Sequence, residues 1–209
     1  MNKSKNHIKC IVRIKPYNLA GINKMMLLLV FSISLIGNII ITLELIYIIL
    51  KSKRKIRVFP PQNKHSLQFW IYWILVTISY GNIFLLCILD WDSFIFQLWL
   101  RLPFGVFLII IGLIIMLWGA WSLNISSSMG LQKTLIVRGL YKYSRNPQYI
   151  GNILLLIGII IVSNSALTLV VGILGIFWTI LLPFAEEPWL REQFGEKYKE
   201  YCKKVRRFL

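Results

Sequence analysis

Acids are scarce in this sequence. Eight Asp and Glu stand against 24 Lys and Arg, for a formal net charge of +16. The excess base gathers in short connections between apolar runs, as the positive-inside bias of membrane proteins requires. Such connections attract anionic lipid headgroups. They do not make a nucleic-acid partner, because no stretch interleaves aromatic and basic residues along an exposed groove. Cysteine is sparse too: Cys10, Cys87 and Cys202, with no CxxC pair. That argues against a disulfide framework and a zinc site. The two histidines, His7 and His65, lie in basic connections with nothing beside them to complete a metal site, so no metal is expected. A Walker loop, a Rossmann fingerprint, a nucleophile triad and a general acid–base pair are all missing. The chemistry open to such a chain is a reaction that needs little acid–base help.

Apolar sequence is what the chain has in quantity. It is 57% hydrophobic, where soluble domains average about 45–50%, and several runs exceed the ~18 residues read as a membrane helix. The expectation is an all-α, polytopic membrane helix bundle with about five transmembrane helices and a C-terminal cytoplasmic amphipathic helix. A non-enzymatic membrane protein has the same composition, so the chemistry must come from particular residues.

Residues 1–24 form a basic tail. Met25–Leu50 is the first span, with Glu44 inside it. The structural reading of Glu44 is a protonated or paired carboxyl facing the bundle; the functional reading is a site residue. Lys51–Ser66 is a basic loop stopped by Pro60-Pro61. Leu67–Leu89 is the second span and opens with Trp70, Tyr72 and Trp73 at interfacial depth. Leu102–Leu123 is the third. Ile150–Val162 is short; extended from Pro147 to Asn164 it reaches ~27 Å, a thin span, with a re-entrant hairpin as the alternative. Ala166–Ala185 returns. Basic loops at 51–66 and 124–148 and a basic C-terminus alternate with connections at 90–93 and 163–165 that lack Lys and Arg. That pattern places the C-terminus in the cytoplasm. Five spans then put the N-terminus outside, although residues 1–24 are as basic as the 51–66 loop.

The stretch that organises the chain runs from Ser126 to Leu190. Two polar segments, Thr134–Asn152 and Glu186–Lys204, flank the last two apolar runs, and a helical hairpin brings them together at one membrane face. Between them they hold Arg145, Asn146, Glu186 and Glu187. In Arg145-Asn146-Pro147-Gln148-Tyr149 the proline removes a backbone donor and biases Asn146 away from helix. Pro147 alone reads as the first turn of the fourth helix; the arginine, asparagine and tyrosines beside it need another reason. Gly139 and Gly151 would admit backbone close to a ligand. Glu186-Glu187 reads either as the acidic start of a tail helix or as a carboxylate for a cationic or hydroxyl-bearing cofactor. Past it, Trp189, Leu190, Phe194, Tyr198, Tyr201 and Val205 recur at three- and four-residue spacing, interrupted at Gly195. This reads as a helix lying against the membrane face.

These residues carry a resemblance. Leu135-Ile136-Val137-Arg138-Gly139-Leu140-Tyr141, Arg145-Asn146-Pro147-Gln148-Tyr149-Ile150-Gly151, Glu186-Glu187, Leu190, Phe194-Gly195, Tyr198, Tyr201 and Val205 resemble the integral-membrane methyltransferases of the isoprenylcysteine carboxyl methyltransferase and phospholipid methyltransferase superfamily. The likeness covers roughly residues 124–209 and divides the chain into the tail at 1–24, three spans at 25–123 and a methyltransferase core at 124–209. It implies S-adenosyl-L-methionine as methyl donor, bound at the cytoplasmic face, with membrane lipid alongside and an amphipathic or lipid-borne small-molecule acceptor. The implied cofactor residues are Lys133, Thr134, Leu135, Ile136, Tyr141, Asn146, Pro147, Gln148, Tyr149, Glu186 and Glu187. Arg145 is the candidate catalytic residue, one that could substitute as partner to an acceptor carboxylate.

Two positions depart from the superfamily's pattern. Asn146 stands where His is common. Leu182 stands where the isoprenylcysteine enzymes carry an Arg for the acceptor carboxylate. A small apolar or lipid-borne thiol, amine or carboxylate remains the expected acceptor, with Arg145 required for the last. A membrane sterol-type reductase using NADPH is the alternative enzyme; its motif usually has Glu at the position of Asn152.

Overall fold

The computed structural model describes residues 24–51, 65–93, 99–123 and 134–208. It is a polytopic helical bundle: α1 (Lys24–Lys51), α2 (Leu67–Leu89), α3 (Arg101–Leu123), a short 3-10 turn (Gly139–Lys142), α4 (Pro147–Ser163) and α5 (Ala166–Lys204). Among them α1, α2, α3 and α5 are long and apolar enough to cross a membrane, and α4 is a shorter apolar helix. Residues 1–23 of the basic N-terminal tail and Pro60-Pro61 lie outside the described residues, and Lys24 opens α1.

The helices begin and end where local chemistry directs. The Ser66 hydroxyl accepts from the amide of Phe69, and the Ser165 hydroxyl from that of Thr168, so each satisfies a donor left free in a first turn. Pro147 opens α4, where its missing N–H costs nothing. Asn164 ends α4 in the left-handed region at φ 47°, a conformation that Asn tolerates better than most residues.

Packing divides the bundle in two. Helices α1 and α2 lean on α5 through Ile41, Leu45, Tyr72, Val76, Trp178 and Leu182. Helix α3 packs on α4 at backbone distance. A Cβ on Gly112 would lie 2.6 Å from the Gly151 carbonyl oxygen, and one on Gly151 would lie 2.6 Å from that of Gly112. Only glycine permits this approach. The closeness anticipated for Gly151 toward a ligand is therefore to α3. Likewise a Cβ on Gly139 would meet the Ser122 hydroxyl at 2.8 Å.

Polar bonds inside the bundle tie its members to α5. Trp178 Nε1 donates to Asn38 Oδ1 at 2.8 Å, and Asn152 Nδ2 donates to Thr179 Oγ1 at 2.9 Å and also to the Tyr80 hydroxyl. In hydrocarbon such groups need partners within the protein.

Helix α4 runs the whole distance between two polar ends. At one end Asn164 Nδ2 donates to Asp92 Oδ1 at 2.7 Å and the Asp92 amide to the Ser163 carbonyl at 2.9 Å. The connections at 90–93 and 163–165 thus share a face, as their charge pattern predicts. At the other end Tyr149 meets Glu186. Seventeen residues rise about 25 Å, which is the separation of these two polar ends.

The apolar, charge-free part of α5 ends at Ala185. Beyond it the helix carries charge and then breaks at Gly195, where φ 55° and ψ −129° suit glycine alone. The chain after the break folds back. Its aromatic face, Tyr198, Tyr201 and Val205, packs on Leu135, Leu190 and Phe194. The amphipathic helix expected against the membrane is therefore covered on that face by the 134–146 loop.

Candidate functional site at the charged end of the bundle

Three elements converge at this end: the loop from Thr134 to Asn146, the first turn of α4, and α5 beyond Ala185. The tail clasps the loop. Tyr201 donates its hydroxyl to the Tyr141 carbonyl at 2.7 Å, and Ser144 and Arg206 form a parallel bridge. The Arg145 amide donates to the Arg206 carbonyl at 3.0 Å, and Asn146 Nδ2 to the Arg207 carbonyl at 2.9 Å. Asn146 precedes α4 at its N-cap yet makes no side-chain cap, because its side chain is turned to the tail.

Glu186 faces aromatic groups. Tyr149 donates its hydroxyl to Glu186 Oε1 at 2.7 Å, and Gln148 Nε2 donates to the Tyr141 hydroxyl at 3.1 Å. Burial raises the Glu186 carboxyl to about 7; the Tyr149 hydrogen bond opposes the rise and the charge of Glu187 adds to it. Burial also pushes the Tyr141 phenol well up; the Gln148 hydrogen bond opposes this and Glu186 adds to it. Among the described residues no Lys or Arg forms an ion pair with Glu186.

Glu187 faces arginines. Arg207 grips it with both prongs, Nε to Oε1 at 2.7 Å and Nη2 to Oε2 at 2.8 Å. Arg145 Nη1 lies 3.0 Å from Oε1 and Arg191 Nη2 lies 3.6 Å from Oε2. The side chains of Glu187 and Arg145 are 6% and 11% exposed, so this pair is shielded from water. Burial acts to raise the Glu187 carboxyl, but the Arg207 hydrogen bond and the charges of Arg145, Arg207 and Arg191 outweigh it, and the group sits below its ordinary range. Arg207 also stacks 3.9 Å over the Phe184 ring, and Arg145 Nη1 donates to Cys202 Sγ.

The residues anticipated from sequence thus fall into two groups. Tyr141, Gln148, Tyr149 and Glu186 come together. Arg145, Asn146 and Glu187 join the tail arginines instead. Pro147 is buried at the start of α4 and Leu135 packs on the tail aromatics. Thr134 is exposed and Ile136 partly so, while Lys133 lies outside the described residues. Leu182 is 3% exposed among Ile41, Leu45, Tyr72 and Trp178, so the superfamily's arginine position is here part of the apolar core. Sequence reasoning missed Arg207 and Ser144. A basic pair after the last apolar position of an amphipathic helix looks like a solvated end, and only the fold back at Gly195 turns it inward.

A partly buried carboxylate beside phenols at the charged end of the bundle suits a cationic small molecule, and the apolar helices around it define an integral membrane protein. Residues 100–197 match the family model for phospholipid methyltransferase. The matched segment runs from α3 through Glu186-Glu187 to just past the Gly195 break. That family lies in the superfamily that also holds the isoprenylcysteine carboxyl methyltransferases, so residues 100–197 are similar to a membrane methyltransferase domain. Comparison with curated proteins and with solved structures gave no match.

Proposed function

We propose that the methyl donor is S-adenosyl-L-methionine, held between Glu186, Tyr149, Tyr141 and Gln148 at the cytoplasmic face, and that the acceptor is a small apolar or lipid-borne nucleophile. The observation that carries this reading is the contrast at Glu186: a partly buried carboxylate, hydrogen-bonded to a phenol, with no ion pair among the described residues. A partly buried carboxylate of that kind favours a positively charged ligand, and the faces of Tyr141 and Tyr149 would add to the attraction. The bound donor would supply a methyl group on a sulfonium, a leaving group that needs no acid. The protein's task is then alignment of donor and acceptor and exclusion of water. That agrees with the shortage of acid–base machinery in the sequence.

The acceptor reading follows from Leu182 and Arg145. The apolar core at Leu182 offers no partner to an acceptor carboxylate, and Arg145 is engaged with Glu187 and Cys202. A thiol or amine needs no such partner, so it is favoured over a prenylcysteine carboxylate. Sidedness follows from charge: Arg138, Lys142, Arg191, Lys197, Lys203 and Lys204 are exposed at the site's end of the bundle. At the other end Arg101 is paired with Asp92 at 2.6 Å. By the positive-inside bias the site faces the cytoplasm.

Calorimetry on the detergent-purified protein tests the donor. S-adenosylhomocysteine is expected to bind and NADPH not to bind. Binding of NADPH alone would move the reading to a reductase, and binding of neither would leave a protein without this cofactor chemistry. Labelling single cysteines from outside intact cells tests the side: position 164 is expected to react and position 142 to be protected.

A further inference from the structure

We propose that Arg207 is a positioning residue: the tail from Val205 to Phe208 is a strap that sets the loop before α4, and Arg207 is its buckle. The inference rests on the proposed donor site for its functional consequence, and on the contacts below for its geometry.

The strap touches the loop at three consecutive residues. Ser144 Oγ donates to the Arg207 carbonyl at 3.3 Å, the Arg145 amide to the Arg206 carbonyl at 3.0 Å, and Asn146 Nδ2 to the Arg207 carbonyl at 2.9 Å. Ser144 Oγ in turn accepts from the Asn146 amide at 3.1 Å. These bonds fix the residues directly before Pro147, and so set where α4 presents Gln148 and Tyr149. Main-chain carbonyls of an irregular segment hold such bonds in place only if the segment is itself held. The Arg207 side chain does the holding, through its two-pronged grip on Glu187 and its stack on Phe184. Both anchors are on α5, within four residues of Glu186. One side chain therefore ties the loop that carries Tyr149 to the helix that carries Glu186. A planar fork is required; a lysine could supply the charge but neither the paired bonds nor the stack.

The strap lies beyond the matched segment, which ends at residue 197, so its role belongs to this chain's own contacts. Loosening it should leave the bundle intact and lower the fraction of molecules whose loop is ready to bind, which weakens apparent affinity in proportion.

The test uses the full chain in detergent, with Arg207→Ala, Arg207→Lys and, as a charge control, Lys203→Ala at an exposed tail position. Hydrogen exchange is followed on ligand-free protein and S-adenosylhomocysteine affinity by calorimetry. Arg207→Ala is expected to speed exchange across residues 144–149 and to weaken binding about tenfold, the scale of one strong charge-assisted contact. Arg207→Lys should fall between Ala and wild type, and Lys203→Ala should change neither readout. In turnover assays the loss should appear in KM for the donor, with kcat at saturating donor retained. Unchanged exchange at 144–149 overturns the proposal. So does exchange that quickens equally along the whole chain, or a Lys203→Ala effect as large as that of Arg207→Ala. If wild type binds no S-adenosylhomocysteine but Arg207→Ala still speeds exchange at 144–149, the strap stands and the donor reading falls. If Arg207→Ala does not fold, the Lys variant decides on the same two readouts.

Discussion

Glu186 and Glu187 are neighbours on one helix, with the same side chain and opposite surroundings. One turns to Tyr149, the other to Arg145, Arg191 and Arg207. Burial pushes the first carboxyl up, and the arginines hold the second down. Successive helix positions are about 100° apart, and that rotation separates a carboxylate with no ion pair among the described residues from a paired one. The lesson is a division of labour. Glu187 ties the tail to the loop, and on the proposed reading Glu186 is the charge that a cationic ligand would meet.

Breaking the Glu187 side should have the largest effect. Glu187→Ala leaves the largely buried Arg145 facing the half-buried Arg207 without an anion. Removing one partner of a buried pair costs roughly 3–5 kcal/mol. Thermal unfolding of Glu187→Ala should therefore shift far down relative to wild type. A melting point close to wild type would show that the cluster is not an anchor.

Changing the Glu186 side should have the reverse signature. Glu186→Gln keeps an acceptor for Tyr149 and removes a charge that burial disfavours, so the fold should be unharmed. Affinity for S-adenosylmethionine should fall by about 1.5–3 kcal/mol, the worth of a hydrogen bond to a charged group. Equal affinity in a folded variant would sink the donor assignment.

The pair should also titrate in opposite senses. Glu186 has its folded value raised, to about 7. The stability it contributes is present in full below the unfolded value and is lost as pH rises through about 7. Glu187 has its folded value lowered, so its contribution is present above the unfolded value and is lost as pH falls through the folded one. Affinity for a cationic donor should follow the ionised form of Glu186. It should climb by up to about tenfold per pH unit below 7 and level off above. Binding measured from pH 6 to 8 checks this, with Glu186→Gln as the flat reference.

Much of this end of the molecule is legible in the residue order. Helix lengths, the meeting of the two polar segments and the start of α4 at Pro147 follow from local signals: apolar run length, loop charge and proline geometry. Which glutamate does which job does not follow, since the two are adjacent and the deciding partners come from elsewhere. Tyr149 lies far back in the chain from Glu186, and Arg207 lies beyond a glycine break whose direction no periodicity gives. The same holds for Gly112 and Gly151. Each reads as an ordinary glycine in an apolar run until α3 and α4 are laid side by side.

The smallest expected effect sharpens the comparison most. Tyr149→Phe removes one hydroxyl and leaves both carboxylates in place. The Tyr149 hydrogen bond holds the Glu186 carboxyl down against burial and the charge of Glu187. Without it the carboxyl should titrate higher, so the pH at which donor binding levels off should move upward from about 7. At neutral pH more of Glu186 would be protonated, and affinity should drop by about 0.5–1.5 kcal/mol, the net worth of a typical hydrogen bond. Glu187 is paired with arginines and should not respond, so thermal stability should change far less than in Glu187→Ala. A binding profile that stays in place, or moves to lower pH, would mean that Glu186 is not the group that meets the cation.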